Sequence, residues 1–224
     1  MPTVTTLLTG HLLTSDQGNP AFCSVLLVED GNQRILFDFG HVGRRRHLLD
    51  ALTDRGLAPG DLDQVVLSHA HWDHAQNVDL FVGAQVFVHP AELPHLSDTP
   101  LAPAWAKAMF DGLDLRDAVE GHQLTPGVCV VELPGHTPGS IGLTVATADG
   151  TAVLAADAVP TLDVLRAGRA SGRPYDQERA DASVERVAAL ADLVYPGHDQ
   201  AIRVGENGEF SYAAEPKPLE FRVP

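Results

Sequence analysis

The stretch Val65-Val66-Leu67-Ser68-His69-Ala70-His71-Trp72-Asp73-His74 decides how the chain is read. A short apolar run, Val65 to Leu67, delivers four metal-ligating side chains, His69, His71, Asp73 and His74, within six residues. Side chains of an extended chain alternate between faces, so His69 and His71 point the same way and can pinch one cation. Asp73 and His74 fall where the chain turns into a helix, within reach of a second cation. A lone histidine in a solvated loop needs no ligand to explain it. This spacing does.

Further histidines extend the pattern. His136 lies in Pro134-Gly135-His136-Thr137-Pro138-Gly139, Asp157 follows the apolar stretch Thr151 to Ala156, and His198 lies in Tyr195-Pro196-Gly197-His198-Asp199. Each follows a run that reads as a strand and sits at a turn rich in Gly or Pro, where backbones can crowd around a small ion. The set of five histidines and two aspartates, with no thiolate, suits a pair of borderline metals such as zinc. A structural zinc site more often recruits cysteine.

With these motifs in this order, from Ser24 to about Ile202, the sequence resembles the metallo-β-lactamase superfamily of dinuclear metal hydrolases. The resemblance implies that His69, His71 and His136 hold one metal, that Asp73, His74 and His198 hold the second, and that Asp157 bridges them. The Phe37-Asp38-Phe39-Gly40 turn resembles the family's early Asp-x-Gly turn, whose aspartate supports the ligand loop. The cofactor expected is therefore two divalent ions, Zn2+ first, with Fe or Mn as alternatives that availability decides.

The rest of the chain alternates strand and helix signals. Residues 3–8 and 22–29 read as strands, Gly31-Asn32 as a hairpin turn and 34–38 as the returning strand. A helix is expected over 42–56, a buried strand at 65–67, a helix starting over 73–78 and a strand at 85–88. Strands follow near 128–133, 140–146 and 151–156, then a helix over 176–190 and a strand at 193–195. Two such halves predict an α/β fold, a four-layer αββα sandwich with the metals at one edge. Residues 1–224 are expected to form one domain, with a candidate lid at 90–117.

Composition bounds the partners. Of 224 residues 44% are hydrophobic, enough for a sizeable core, and 15 Lys and Arg stand against 30 Asp and Glu, a formal net charge of −15. Nucleic-acid binding leans on a basic footprint, so nucleic acid is not the expected partner. Arg44-Arg45-Arg46 form a local patch that reads as the solvated face of an amphipathic helix. With neither a signal-peptide pattern nor 18 consecutive apolar residues, a cytoplasmic protein without a membrane span is expected. Cys23 and Cys129 lie in apolar strand-like runs and read as buried free thiols. The Pro-rich tail, Glu215 to Pro224, has two candidate seats, the sheet edge or a second subunit in a homodimer.

A hydroxide shared by two cations is a strong nucleophile at neutral pH, because metal binding lowers the pKa of water from about 16 toward 7. Hydrolysis of a small-molecule ester or lactone carbonyl is the reaction expected, with Asp73 and Asp157 as catalytic side chains. Family resemblances narrow the choice. Exported lactamases often carry cysteine where Asp157 stands. Thioesterases of the glyoxalase II type share the ligand set and are an alternative, although only 26 residues follow His198. A compact ribonuclease is a second alternative, lacking the basic arm usual there. Two features favour lactonases and esterases. The segment Pro90 to Asp117 carries Leu93, Leu96, Leu101, Trp105, Met109, Phe110 and Leu113, suited either to an apolar lid or to ordinary packing helices. Tyr175 stands where lactonases of the superfamily often place a tyrosine that hydrogen-bonds the substrate carbonyl. His11 and His41 are placed near the cleft on loops, while His89, His95 and His122 read as solvated or capped residues.

Overall fold

In the computed structural model, which describes residues 1–18, 20–96 and 105–220, strand β1 (Thr3–Leu8) precedes a hairpin of β2 (Val25–Asp30) and β3 (Gln33–Phe37). Asp30 pairs with Gln33, and Gly31 at φ +62° supplies the positive φ that a two-residue hairpin turn requires. Strands β4 (Gln64–Val66), β5 (Gln85–Val88) and β6 (Asp114–Asp117) add in parallel to β3, giving a sheet of order β1-β2-β3-β4-β5-β6. The second sheet holds β7 (Gln123–Thr125), β8 (Val128–Glu132), β9 (Ile141–Thr147), β10 (Gly150–Ala156), β11 (Leu193–Pro196), β12 (Ile202–Val204) and β13 (Phe210–Tyr212), in order β13-β12-β11-β10-β9-β8-β7. Only β10 and β11 run parallel there.

Strand alternation sorts the apolar side chains into three layers of core. Leu26, Val28, Ile35, Phe37 and Val66 of the first sheet meet Val128, Val130, Leu143, Val145 and Leu154 of the second in the seam between them. The opposite faces of the same strands, through Val25, Leu27, Leu36 and Val65, pack on Leu48 and Leu52 of helix α1 (Arg45–Thr53). Beyond the second sheet, Val153, Val194 and Ile202 meet Leu162 and Leu165 of α4 (Leu162–Ala167) and Val184 and Val187 of α5 (Gln177–Leu190). Central strands buried on both faces read as continuous apolar runs rather than alternating ones. The result is the αββα sandwich, with the loops after β4, β8, β10 and β11 left to carry polar residues.

Several elements differ from the sequence reading. The helix expected over 42–56 begins as a 3₁₀ turn, Val42–Arg44, and its α-helical part ends at Thr53, where Gly56 at φ +72° closes the turn. The helix expected from Asp73 is a single turn, α2 (Trp72–Ala75), followed by the 3₁₀ turn Val78–Phe81. Between them Asn77 donates its amide to the carbonyls of Phe39, Gly40 and His41, which fixes the neighbouring loop instead of continuing the helix. Strands β6, β7, β12 and β13 and helix α4 are too short to declare a period.

The patch at Arg44 is not a solvated face. Arg44 donates through Nη1 to the carbonyls of Thr9 and Cys23, and its guanidinium stacks 5.3 Å from the Phe22 ring. Arg45 pairs with Asp79, and only Arg46 is fully exposed. Both cysteines are free, but Cys129 is only half-buried.

Of the candidate lid, residues 97–104, including Leu101, lie outside the described residues. Helix α3 (Glu92–His95), a 3₁₀ turn at Ala106–Phe110 and β6 account for most of the rest. Leu96 and Phe110 are buried in the core outside the first sheet, with Leu93, Met109 and Leu113 packed against it, whereas Trp105 is exposed. Trp105 and Met109 therefore do not share a core face. Among the described residues no helix is long and apolar enough to cross a membrane.

Leu143, fully buried in the seam between the sheets, reports on the sandwich. Leu143→Ala is expected to lower the unfolding free energy by about 2–5 kcal/mol, through lost transfer energy plus an uncollapsed cavity, seen as a lower urea midpoint with unchanged slope.

Candidate metal centre

Four loops from both sheets converge. Ser68 and His69 follow β4, His71 is the N-cap of α2, and Asp73 and His74 lie on that helical turn. His136 lies between β8 and β9, Asp157 directly follows β10, and His198 follows β11. His71 Nδ1 lies 3.0 Å from both His69 Nε2 and His136 Nε2. Asp157 stands between two groups. Its Oδ2 is 3.4 Å from His136 Nε2 and 4.0 Å from His69 Nε2, while its Oδ1 is 3.3 Å from His74 Nε2 and 3.2 Å from His198 Nε2. Asp73 Oδ2 lies 3.5 Å from His198 Nε2 and 3.7 Å from His74 Nε2. Thus His69, His71 and His136 form one potential ligand group, Asp73, His74 and His198 another, and Asp157 faces both; within each of these two groups the ligand atoms lie within 4.8 Å of one another.

Among the described residues, the buried Asp73 Oδ2, His74 Nε2 and Asp157 Oδ1 have no hydrogen-bond partner. Leaving buried polar atoms unsatisfied is costly, and all three face the space enclosed by Asp73, His74, His198 and Asp157. The donor set, imidazole nitrogens with carboxylate oxygens, fits divalent zinc or a similar cation.

Neighbouring groups fix which nitrogen faces that space. His74 Nδ1 donates to Asp38 Oδ2 at 2.7 Å, and His198 Nδ1 donates to the Phe22 carbonyl at 3.0 Å, leaving each Nε2 as the free ligand atom. Ser68 Oγ donates to Asp38 Oδ2 at 2.9 Å and accepts from His69 Nδ1 at 3.0 Å. Asp38 also accepts the Ser68 backbone N–H at 2.8 Å. It is buried and held at φ +65°, a left-handed conformation rare for a non-glycine residue, which the three hydrogen bonds to its carboxylate and the one from its N–H to the Val66 carbonyl maintain. Cys23 lies beside Asp38 and His74, but burial pushes its thiol to about 11, so it packs against this network rather than joining it as a thiolate.

Close backbone approach completes the geometry. A Cβ on Gly197 would stand 2.1 Å from Asp157 Oδ1, so only glycine lets the strand carrying His198 pass beside that carboxylate. Asp157 is itself preceded by Ala156 at φ +44°.

The electrostatics divide the histidines. Burial depresses the pKa of His69, His71 and His136, with the neighbouring imidazoles adding to the effect at all three; His71 falls to about 3. These three present neutral lone pairs. Burial also opposes charge on His74 and His198, but the neighbouring Cys23 sulfur, then Asp157, Asp73 and Asp38, raise His74, and Asp157 above all raises His198. Burial opposes the charge of Asp157 too, yet His198 and His74 hold it well below the usual carboxylate range. Asp73 is raised, first by burial.

Tyr175 is outside this cluster. It is 63% exposed, its ring lies edge-on to His95 at 5.4 Å, and its N–H donates to the His136 carbonyl at 3.2 Å. His41 packs between Phe22 and Trp72, at 5.6 and 5.1 Å between ring centroids. His89 contacts Glu132 at 3.3 Å, and His122 packs on Phe87. Sequence reasoning missed Ser68, Asn77 and Glu92; the first is adjacent to the motif, but the others act through tertiary contacts that no local spacing reveals.

The profile of the metallo-beta-lactamase superfamily matches residues 18–198. Metallo-beta-lactamase domain-containing protein 1 of Homo sapiens is 37% identical over 182 residues, 80% of this chain and 62% of that protein, so the chain spans about three fifths of that relative. An N-acyl homoserine lactonase from Bacillus sp is 26% identical over 157 residues, 68% of this chain and 62% of that protein. The solved structure of an N-acyl homoserine lactone hydrolase, with the product N-hexanoyl-L-homoserine at its catalytic metal center, matches with a TM-score of 0.73 at 20% identity over 88% of this chain and 92% of that one. At that identity the likeness is one of fold.

The depressed histidines set a pH dependence for the metal-free protein. Below their ordinary pKa of 6.5 the unfolded chain binds protons that the folded site refuses, so stability is lost as pH falls from 6.5 toward about 3. The raised His74 and His198 do not offset this loss, because their contribution is already complete below 6.5 and disappears only as pH rises through their folded values; Asp73, raised by burial, opposes it within the interval as one group against three. Urea unfolding in chelator is expected to show a falling free energy over that acidic interval; a rise there contradicts the assignment of neutral histidines.

Proposed function

This chain belongs to the metallo-β-lactamase superfamily, and we propose that it is a metal-dependent hydrolase of small esters or lactones, organised as one catalytic unit. The observation that carries this reading is the pair of facing ligand groups with three buried ligand atoms lacking a partner among the described residues. His69, His71 and His136 would hold one cation, Asp73, His74 and His198 the second, and Asp157 would serve both. When bound, two divalent cations, zinc best matching the donors, lower the pKa of water and polarise a carbonyl.

The protein's own contributions follow from position. Asp157, directed to both groups, orients the attacking water. Asp73, besides serving as a ligand, accepts a proton, since burial already raises the proton affinity of its carboxylate. Tyr175, exposed and tied by its backbone N–H to the His136 carbonyl, donates its hydroxyl to the carbonyl oxygen of the substrate. The formal charge of −15 disfavours polyanionic substrates, and the lactonase among the relatives supports a small acyl compound.

Zinc-loaded protein assayed on lactones, oxoesters and thioesters tests the reading. Asp73→Asn is expected to lower kcat/KM by about 10²–10⁴-fold, the range of a lost acid–base group, and Tyr175→Phe by up to about tenfold, the value of one hydrogen bond. A preference for the thioester would move the assignment to thioesterases. A metal-loaded protein that cleaves none of the three would end it.

A further inference from the structure

Glu92 is fully buried at the start of α3, yet it makes no ion pair with a Lys or Arg among the described residues. Among the described residues, every group hydrogen-bonded to its carboxylate is a donor from a ligand-bearing loop. Oε2 accepts the N–H of Ala70 at 2.8 Å, the residue between His69 and His71. Oε1 accepts the hydroxyl of Thr137 at 2.6 Å and the N–H of Gly139 at 2.8 Å, both in the loop of His136. Ser140 continues the network: its Oγ accepts the N–H of Thr137 at 3.0 Å and lies 2.7 Å from Thr137 Oγ1. The loop is shaped for this carboxylate, since a Cβ on Gly139 would stand 2.9 Å from Glu92 Oε1 and 2.6 Å from His89 Nδ1.

We infer that Glu92 is the positioning residue of the three-histidine group: one carboxylate sets the His69–His71 loop against the His136 loop and thereby sets that group's affinity for its metal. This rests on the reading that these histidines hold a cation. The second group is supported separately, by Asp38 on His74 and by the Phe22 carbonyl on His198, so Glu92 acts on one metal and not on both. Glutamine at this place has one acceptor oxygen and one donor amide. Whichever way it turns, its amide faces at least one N–H, and one loop loses its anchor.

The test is zinc titration of metal-free protein by calorimetry, with cobalt absorption as a spectroscopic readout. Wild-type protein is expected to take up two zinc ions. Glu92→Gln should take up two as well, one with a dissociation constant raised about 10–100-fold, the effect typical of a lost outer hydrogen bond to a metal site, and the other unchanged. His198→Ala and His71→Ala backgrounds identify the weakened site: Glu92→Gln should weaken zinc in the first, which retains the three histidines, and leave the remaining site of the second unaffected. Thr137→Val removes one donor without touching the carboxylate and should weaken the same site less, which keeps the inference testable if Glu92→Gln does not fold. Equal weakening of both sites, or a lower melting temperature with both zinc affinities unchanged in either variant, overturns the inference while leaving the metal reading intact. A wild-type protein that binds no zinc overturns both.

Discussion

Five imidazoles and two carboxylates brought within ligand distance of one another form an arrangement that a folded chain holds only at a cost. The cluster is largely buried, several of its polar atoms have no hydrogen-bond partner among the described residues, and the raised and depressed pKa values express the same conflict between burial and charge. Much of the surrounding structure answers that cost. Asp38 keeps a left-handed backbone, Asn77 binds three successive carbonyls, and Gly197 yields its side chain so that Asp157 fits. Cations held by the two groups would turn the unpartnered atoms from a liability into a source of stability, because a ligand bound only by the folded state shifts the folding equilibrium.

The sandwich is the frame that makes the convergence possible. Parallel addition of β4 to β3 and of β11 to β10 sends the chain out at the same ends of neighbouring strands, and the two sheets meet face to face over a seam of aliphatic side chains. Three of the ligand segments therefore leave rigid strands, and only the His136 loop spans a hairpin. Its position is held from elsewhere, by the N–H of Tyr175 and the N–H of Asp176 on its carbonyls and by the donors it gives to Glu92.

The parts legible in the sequence are those whose information is local. Val65 to Leu67 reads as a strand because it is buried on both faces, and the histidine spacing beyond it reads as ligands because extended backbone fixes side-chain direction. The hairpin at Gly31 was legible for the same reason. The helix after Asp73 was not, because its length is set by Asn77 reaching back to residues 39–41, and no period encodes that contact. Arg44 looked like surface charge, yet the carbonyls of Thr9 and Cys23 draw it inward. The apolar residues of 90–117 fit two arrangements equally well in sequence; the core beside the first sheet takes most of those described.

The last strand of the first sheet has a consequence of its own. β6 is the short sequence Asp-Leu-Arg-Asp, with Asp114 and Arg116 paired at 2.9 Å and both half-exposed. An open sheet edge is a template for another chain, and ionic side chains are a common means of blunting it. Here a further strand would have to dock against Asp114 and Asp117, on a molecule that already carries a large negative charge. Growth of the sheet into a fibril or a swapped dimer is therefore resisted at this margin by electrostatic repulsion, a guard that lies in the side chains of the edge itself rather than in any element covering it.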